Sequence, residues 1–533
     1  MMKVSALGSA SVLALALGLT ACGSGDTGTP GRESAPTEVT LSQAEDGLAA
    51  LNLVANEALS WEEQSFEDGV YTFTNLTYAP ADAEERGFTI EELVIAAPRV
   101  TEAGHVAFDR LHATGIAGDA EGPDQVQIAR VYIDAPGPGL AALIGDVISG
   151  RADAEDYTAP FQDIAAYSFE GLGVDSVSMT TVEDETPLQL RLGALAMDSF
   201  DGETLSSFVM DDFAAFSQDA TQPVRFSLDE VRAEGLKAGL VQALFEGGES
   251  GMDPMSDMLL PVNLYSSVAL RGLNVDADGV VVTMEELTGT SRERGGELVQ
   301  VSEMPLLRVA AREGTQAGDQ VAGALEMLGY EAFDFSMRGE SVYDTEADRM
   351  YTRGENYLRL EDGFEIRFDQ DFSGIEAYME RYGAAMADMF DQTEGAKTPG
   401  ALSPAQMDPA LKAAYEPLML NRMRIAIEDR SLLDRALDAA ATRQNVDPAT
   451  VRSQMIGMLG MGVMMAPPEI PRPLVGSVSQ ALTLFLQEGG TVVISADPEE
   501  PVSIGRIIEA SEEGRFDPAM LNVTVRHEGE DQE

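Results

Sequence analysis

The chain has 533 residues, of which 44% are apolar, and it carries a formal net charge of −57. This acidity excludes nucleic acid as a partner, because phosphate binding needs a basic face. The single cysteine, Cys22, excludes both an internal disulfide and thiol catalysis in the chain that follows it. The acidity has a non-functional explanation, adaptation to salt, and two functional ones, a basic partner and loosely held divalent cations. All three stay open.

The N-terminus has the pattern of a secretory leader. Met1-Met2-Lys3 supplies a positive start, and Leu13 to Leu19 is an apolar run too short to span a bilayer. Leu19-Thr20-Ala21-Cys22 resembles the lipobox of bacterial lipoproteins. The resemblance covers residues 1–22 and implies cleavage before Cys22 and a covalent acyl lipid on it. An ordinary secreted protein with a cysteine at the cleavage site is the alternative.

The lipobox resemblance implies that the protein lies in the bacterial cell envelope, facing the periplasm. Gly23 and Ser24, with no aspartate beside Cys22, favour the outer membrane over the inner one. A single acyl chain holds a protein only marginally, whereas several hold it firmly. We therefore expect residues 1–21 to be a signal peptide and the membrane to be contacted through the lipid anchor.

A tether and a short helix follow the anchor. Residues 22–39 are mainly small and polar, which is typical of a flexible linker. Ser42-Gln43-Ala44-Glu45 has the spacing of a capping box. It predicts a helix to about Asn52 that turns Leu48 and Leu51 inward.

From Tyr71 the chain repeats a unit of the form apolar-x-apolar-x-x-apolar-x-apolar. The units begin at Tyr71, Phe88, Val106, Val126, Tyr167, Leu190, Phe208, Phe226, Val268 and Val299, with a weaker copy at Val282. Each half alternates with period two, as strands do, whereas a helix would scatter the four positions around its surface. The extra residue between the halves predicts a β-bulge or a strand that changes face.

Two wide gaps between units are predicted to hold helices. The first has a stripe of Leu140, Leu143, Ile144, Val147 and Ile148. The second has Leu236, Leu240, Val241, Leu244 and Phe245, followed by Gly247-Gly248.

The character of the chain changes near residue 312. Helices are predicted around Val321–Leu328, Ile375–Met389, Ser431–Arg443, Pro448 to about Gly462, and Val475–Gln487. Strands are predicted at Phe333–Met337, Val342-Tyr343, Asn356–Leu360, Phe364–Phe368, Met423–Ile427, Val492–Ile494 and Leu521–Val525. We therefore expect an α+β fold, mainly β: a long curved antiparallel repeat sheet with inserted helices over 40–312, and an α+β region over 313–533.

Motifs that carry chemistry are sparse. Asn274, Asp276, Asp278 and Glu285 match the spacing of an EF-hand loop, but Asn stands at the first ligand position and the flanks read as strands. We therefore interpret this stretch as a hairpin, with calcium as the weaker alternative. His105, His112 and His527 have no metal-ligand spacing. The sequence predicts no cofactor other than the acyl lipid, and no catalytic residues.

An uncharged methionine-rich segment runs from Met455 to Ala466. Its candidate contact residues are Met455, Met458, Leu459, Met461, Met464 and Met465. Methionine surfaces adapt to varied apolar partners. Two interpretations are open: a helix buried in the core, or a contact surface for an apolar ligand or protein.

The repeated strands over about 70–310 resemble, in pattern only, the AsmA-like and YdgA-like periplasmic β-repeat proteins. That resemblance implies a curved sheet with an apolar inner face, suited to handling lipid or supporting envelope assembly. The leading hypothesis is a non-enzymatic envelope lipoprotein that binds an apolar ligand or an envelope partner. The alternatives are an interaction scaffold with a fully packed sheet and, third, a hydrolase with an unrecognised carboxylate site.

Overall fold

A computed structural model describes ten stretches of the chain. They are residues 37–80, 87–118, 125–149, 164–183, 186–217, 224–238, 264–392, 409–465, 471–512 and 515–529. The lipobox, Cys22 and most of the tether lie outside these residues. The described chain is α+β and mainly β, with antiparallel strand pairs, as the sequence predicts.

The chain divides into two compact units at Asp278 and Gly279. The predicted change of character near residue 312 coincides with the end of strand β15, Glu297–Ala311. β14 and β15 therefore belong to the second unit, although they carry the last copies of the apolar spacing.

The first unit contains thirteen strands and two helices in the residues described. The strands are β1 Leu59–Ser60, β2 Glu63–Glu67, β3 Val70–Tyr78, β4 Phe88–Ala96, β5 Arg99–Val100, β6 Val106–Ala107, β7 Arg110–Gly118, β8 Gln125–Asp134, β9 Phe169–Glu183, β10 Thr186–Phe200, β11 Thr204–Ser217, β12 Val224–Lys237 and β13 Ser267–Ala277. The helices are α1 Leu41–Ala50 and α2 Pro138–Ile148, and a 3-10 turn spans Ile164–Tyr167.

Nine strands of this unit pair in chain order: β3, β4, β7, β8, β9, β10, β11, β12 and β13. The repeated spacing follows from their register. One row of directly opposed residues crosses all nine strands: Tyr71, Ile95, Leu111, Ile133, Leu172, Met197, Phe208, Ala233 and Val268. Parallel rows pass through the other apolar positions of each unit, so all four positions share one face, which we call the inner face.

A second row explains how both halves of each unit reach the inner face. At one level the pairing skips a residue in every strand: Asn75, Glu91, Gly115, Ala129, Ser176, Gly193, Asp212, Asp229 and Gly272. Between β10 and β11 the skip also includes Leu192 and Phe213, and between β12 and β13 it includes Leu228 and Leu273. Every second member has a positive φ: Asn75, Gly115, Ser176, Asp212 and Gly272. A left-handed residue inverts the alternation of side chains in its own strand. Because every strand has its skipped residue at the same level, the register between neighbouring strands does not slip.

Two units of the predicted repeat are out of phase with this register. In β7 the in-register positions begin at Leu111, because Val106 belongs to the separate β5–β6 hairpin. In β9 they begin at Leu172 rather than Tyr167. The pairing of β9 with β10 also skips Glu170, so the same spacing occurs twice in this strand.

The two helices of the first unit cover one end of the inner face. Leu48 and Leu51, at the C-terminal end of α1, are buried as predicted, and Ala141 and Ile144 of α2 join the same core. The helix α1 begins two residues earlier than predicted, because Thr40 rather than Ser42 is its N-cap. The Thr40 hydroxyl accepts a hydrogen bond from the Gln43 backbone, and the Gln43 side chain accepts one from the Thr40 backbone.

The predicted helix that starts at Leu236 needs correction. Leu236 is buried in strand β12, where it faces Leu205 of β11. Its remaining predicted members, from Leu240 to Phe245, lie outside the described residues.

The second unit continues the antiparallel pattern with ten strands in the residues described. They are β14 Val280–Arg294, β15 Glu297–Ala311, β16 Phe333–Asp344, β17 Arg349–Thr352, β18 Tyr357–Leu360, β19 Phe364–Ser373, β20 Met419–Asp429, β21 Thr491–Ala496, β22 Val502–Ser503 and β23 Thr524–Glu528. β16 pairs with both β17 and β18, and each of these pairs with β19. β20 then pairs with β21 and β22, and β21 pairs with β23.

Seven helices accompany these strands in the described part of the unit. They are α3 Gln316–Leu328, α4 Ile375–Gln392, α5 Pro409–Ala414, α6 Leu432–Gln444, α7 Pro448–Met465, α8 Arg472–Glu488 and α9 Ile504–Glu512, and a 3-10 turn spans Pro518–Leu521. The predicted helices of this region are confirmed, whereas α5 and α9 are not anticipated by the sequence. None of the helices in the described residues has the length and apolarity needed to cross a membrane.

Candidate functional site

The inner face of the first unit changes from buried to half-buried along the ladder. In β3, β4, β7 and β8 its apolar side chains are buried beneath α1, α2 and their neighbours; Phe73 and Leu93, for example, are completely inaccessible. In β11, β12 and β13 many are only partly buried. The sheet therefore presents a continuous apolar surface that is closed at one end and accessible at the other.

The accessible part has a small buried centre. Leu192, Met210 and Leu228 form a cluster, each less than a tenth exposed. Half-buried side chains surround the cluster: Val177, Phe208, Phe213, Phe226, Val231, Leu270 and Leu273. We call this set, together with the three buried residues, the open apolar face. Phe213 and Phe226 pack edge to face, with ring centroids 5.7 Å apart.

The opposite side of the same strands is polar. Arg130 forms an ion pair with Asp175 at 2.6 Å and lies over the ring of Tyr132 at 5.4 Å. Glu230 forms ion pairs with Arg232 and Arg271 at 2.9 and 3.0 Å. The sheet is thus amphipathic, and an apolar ligand would meet matching chemistry only on the inner face.

The histidines lie apart. His105 is exposed in the β5–β6 hairpin, and His527 in β23 contacts the Gly489 carbonyl through Nε2 at 2.7 Å. His112 lies in β7 on the polar face, edge-on to Tyr132, and burial lowers its pKa. No group of three or more potential metal-ligating side chains occurs among the residues described.

The EF-hand-like stretch, from Asn274 to Glu285, crosses the division between the two units and has strands on both sides of it. Asn274 and Asp276 lie in β13, opposite Ser227 and Arg225 of β12. Asp278 has a φ of 49°, and Glu285 is exposed in β14. Strands rather than helices therefore flank these residues.

Two buried carboxylates of the second unit were not anticipated. Glu365 of β19 forms ion pairs with Arg359, Arg367 and Arg430 at 2.7–2.9 Å. Asp371, in the same strand, is paired with Arg349 and accepts a hydrogen bond from Asn421 at 3.0 Å.

Arginine side chains therefore balance the charge of both carboxylates, and no ligand is needed to explain their burial. Burial alone would raise the pKa of Asp371, but the Arg349 and Asn421 hydrogen bonds hold that pKa below its usual value. In the sequence, these residues are visible only as charged residues that alternate with apolar ones along a strand. This pattern identifies ion pairs only once the strand register is known.

The methionine-rich segment lies in helix α7, at the surface. Near the start of the helix, Val451 and Met455 pack against Leu437 and Ala441 of α6. Beyond them Met458 and Met461 are 58% and 54% exposed, and Met464 and Met465 are 78% and 83% exposed. Leu459 is partly buried. The interpretation of this segment as a buried core helix is therefore wrong for its last turns.

Comparison with known proteins adds little. A family model described as an uncharacterized protein matches residues 357–528, which run from β18 to β23. No curated protein and no solved structure matches the chain. The matched segment lies wholly in the second unit and includes α7, whereas the open apolar face lies outside it.

Proposed function

We propose that this protein is a lipid-anchored protein of the bacterial cell envelope that binds an apolar ligand, such as a lipid, on the open apolar face. The observation that carries the proposal is the half-burial of Phe213, Phe226, Leu270 and Leu273 on a face that is closely packed from β3 to β8. Complete burial of an exposed side chain of this size is worth about 1.5–3 kcal/mol, and each half-buried side chain would gain part of this against a ligand, so several of them together would support binding.

The anchor completes this proposal. The lipobox would place an acyl lipid on Cys22, and residues 22–36 would connect it to the first described residue, Thr37. A protein held at the envelope membrane would then expose its apolar face where lipids are its most abundant apolar neighbours. In this proposal the role is binding rather than catalysis, facing the periplasm from the outer membrane.

A titration with a neutral fluorescent apolar probe, N-phenyl-1-naphthylamine, tests the binding site. The chain used would begin at Gly23, which removes the leader and keeps every described element. We expect a saturable rise in emission, and an affinity about tenfold lower in Phe226→Gln and in Leu273→Gln. Arg225→Gln is the matched control, because Arg225 is exposed on the polar side of the same strand.

A scaffold role is the second candidate, and the packed end of the sheet favours it. From β3 to β8 the inner face leaves no space for a ligand, as in a protein whose sheet serves only as a rigid support. No saturable probe binding in the wild-type chain would favour this role over ligand binding.

A further inference from the structure

The geometry points to a second lipid-contacting element: the exposed end of helix α7 inserts into the surface of a lipid bilayer. This tip, which we define as residues 455–465, lies in the second unit and is separate from the open apolar face. Four of its side chains, those of Met458, Met461, Met464 and Met465, are more than half exposed. Apolar side chains this accessible in a continuous group mark an interaction site.

The tip extends beyond helix α6, while α8 runs along one side of it and leaves the rest of its surface exposed. A Cβ atom added at Gly457, Gly460 or Gly462 would meet no atom within 4 Å. The base of α7 is fixed by Val451 in the core with α6, so the tip is a supported projection rather than a frayed end. Each residue of a helix advances by about 100° around the axis. On this basis the exposed positions of the tip form a continuous sector that covers more than half of the helix circumference, with Gly460 at one edge and Gly462 at the other.

Charge favours a bilayer as the partner. In a chain of net charge −57, the described residues of α7 and α8 contain only Arg452, Arg472 and Glu488 as charged side chains. Arg472 is exposed beside the tip, and its Nη1 donates to the Val463 carbonyl at 3.4 Å. The connecting residues 466–470 add one carboxylate, Glu469. The two helices are thus weakly charged and have a cation beside the apolar tip, which suits insertion between lipid headgroups.

The composition of the tip favours a bilayer over a protein partner. Methionine occurs at protein interfaces too, but these concentrate their binding energy in Trp, Tyr and Arg and use hydrogen bonds for orientation. Between Met455 and Met465 the tip has no aromatic residue and no polar side chain. A bilayer requires neither. The eleven residues span about 16 Å at helical rise, about half the hydrocarbon thickness, so the tip would enter one leaflet without crossing.

Vesicle binding tests the inference with a chain that begins at Gly23 and therefore lacks cysteine. We expect it to co-sediment with phosphatidylcholine vesicles and to bind about tenfold more weakly in Met458→Asp/Met464→Asp. Leu41→Asp/Val54→Asp is the matched control, since Leu41 and Val54 are 50% and 54% exposed elsewhere. This double variant should bind as the wild type does. Absence of vesicle binding by the wild type, or equal loss in both double variants, would overturn the inference.

A site-specific probe distinguishes insertion from self-association. An environment-sensitive fluorophore on Met461→Cys should shift its emission to the blue on addition of vesicles, and the same fluorophore on Val54→Cys should not. A blue shift at position 461 that grows with protein concentration without vesicles would show contact with a second copy and contradict the inference. Neither measurement depends on the apolar probe titration, so the two proposals can fail independently.

Discussion

Phe213 and Phe226 lie on adjacent strands and meet edge to face, yet both remain partly accessible to solvent. The same register, followed to the other end of the ladder, places Phe73 opposite Leu93 in a completely buried core. One apolar spacing thus produces two environments, and the difference between them defines the candidate ligand site.

Truncation of these side chains should have unequal costs. We expect Leu93→Ala to lower the free energy of unfolding of the first unit by about 2–5 kcal/mol, because a cavity is left in a closed core. Phe226→Ala should cost less, about 1–2 kcal/mol, because the site is open to solvent. Trp61, the single tryptophan, packs on Phe73 with centroids 5.0 Å apart, so its emission in guanidinium follows this unit. Equal losses would show that the open apolar face is packed.

The row of skipped residues should be sensitive to side chains at its glycines. Gly115 has a φ of 63°, and a Cβ atom there would lie 2.4 Å from the Glu91 side chain. We expect Gly115→Ala to lower the free energy of unfolding by about 1–2 kcal/mol from the backbone alone, with a further loss from the contact. Gly104→Ala has a positive φ but open space around it, so it isolates the backbone cost. Glu91→Ala should restore part of the difference; no restoration would contradict this account.

Asp371 should contribute to stability at neutral pH. Its folded-state pKa is lowered, so its contribution is complete above the unfolded value of about 3.9 and is lost as pH falls through the folded value. Asp371→Asn should therefore lower the free energy of unfolding at pH 7 by about 2 kcal/mol. It should also lose less stability than the wild type on acidification.

Circular dichroism in urea at pH 7 and pH 3 measures this effect. Asp434→Asn is the control, because the Asp434 side chain is 72% exposed in its pair with Arg452. If both variants show the same pH dependence, the Arg349–Asp371 pair does not have the role assigned to it.

Cys22→Ser should abolish membrane anchoring, because acylation requires the thiol. We expect the variant to accumulate as an uncleaved or soluble protein, whereas the wild type should need detergent for extraction. Fractionation followed by intact-mass spectrometry checks both length and acylation. Recovery of Cys22→Ser as a processed protein that still carries an acyl lipid would disprove the anchor.

The sequence predicts the ladder well because the spacing of apolar residues along each strand reflects the register in which neighbouring strands pair. Tyr71, Phe73, Leu76 and Tyr78 share a face in the structure as their spacing requires. The spacing does not reveal that Asn75 takes a left-handed conformation, since Glu91 and Ala129 occupy equivalent places without one. It also does not predict which strands keep an accessible inner face, because this depends on where α1 and α2 pack.

The surface methionines show the same limit of local reasoning. From composition alone, Met458 and Met461 fit a buried helix as well as an exposed one. Their exposure follows from the length of α7 beyond its contact with α6, a tertiary property. Likewise, the three arginines around Glu365 come from β18, β19 and the residue after β20, and only strand pairing brings them together.

The most direct test of the central claim is mass spectrometry of lipids that co-purify with the chain beginning at Gly23, expressed with an export leader that lacks a lipobox. We predict lipid bound in a defined ratio to the wild-type protein and retained by Arg225→Gln. Phe226→Gln and Leu273→Gln should lose most of it while keeping the Trp61 unfolding transition. A wild-type protein that carries no lipid, or the same lipid content in all four proteins, would contradict ligand binding on the open apolar face.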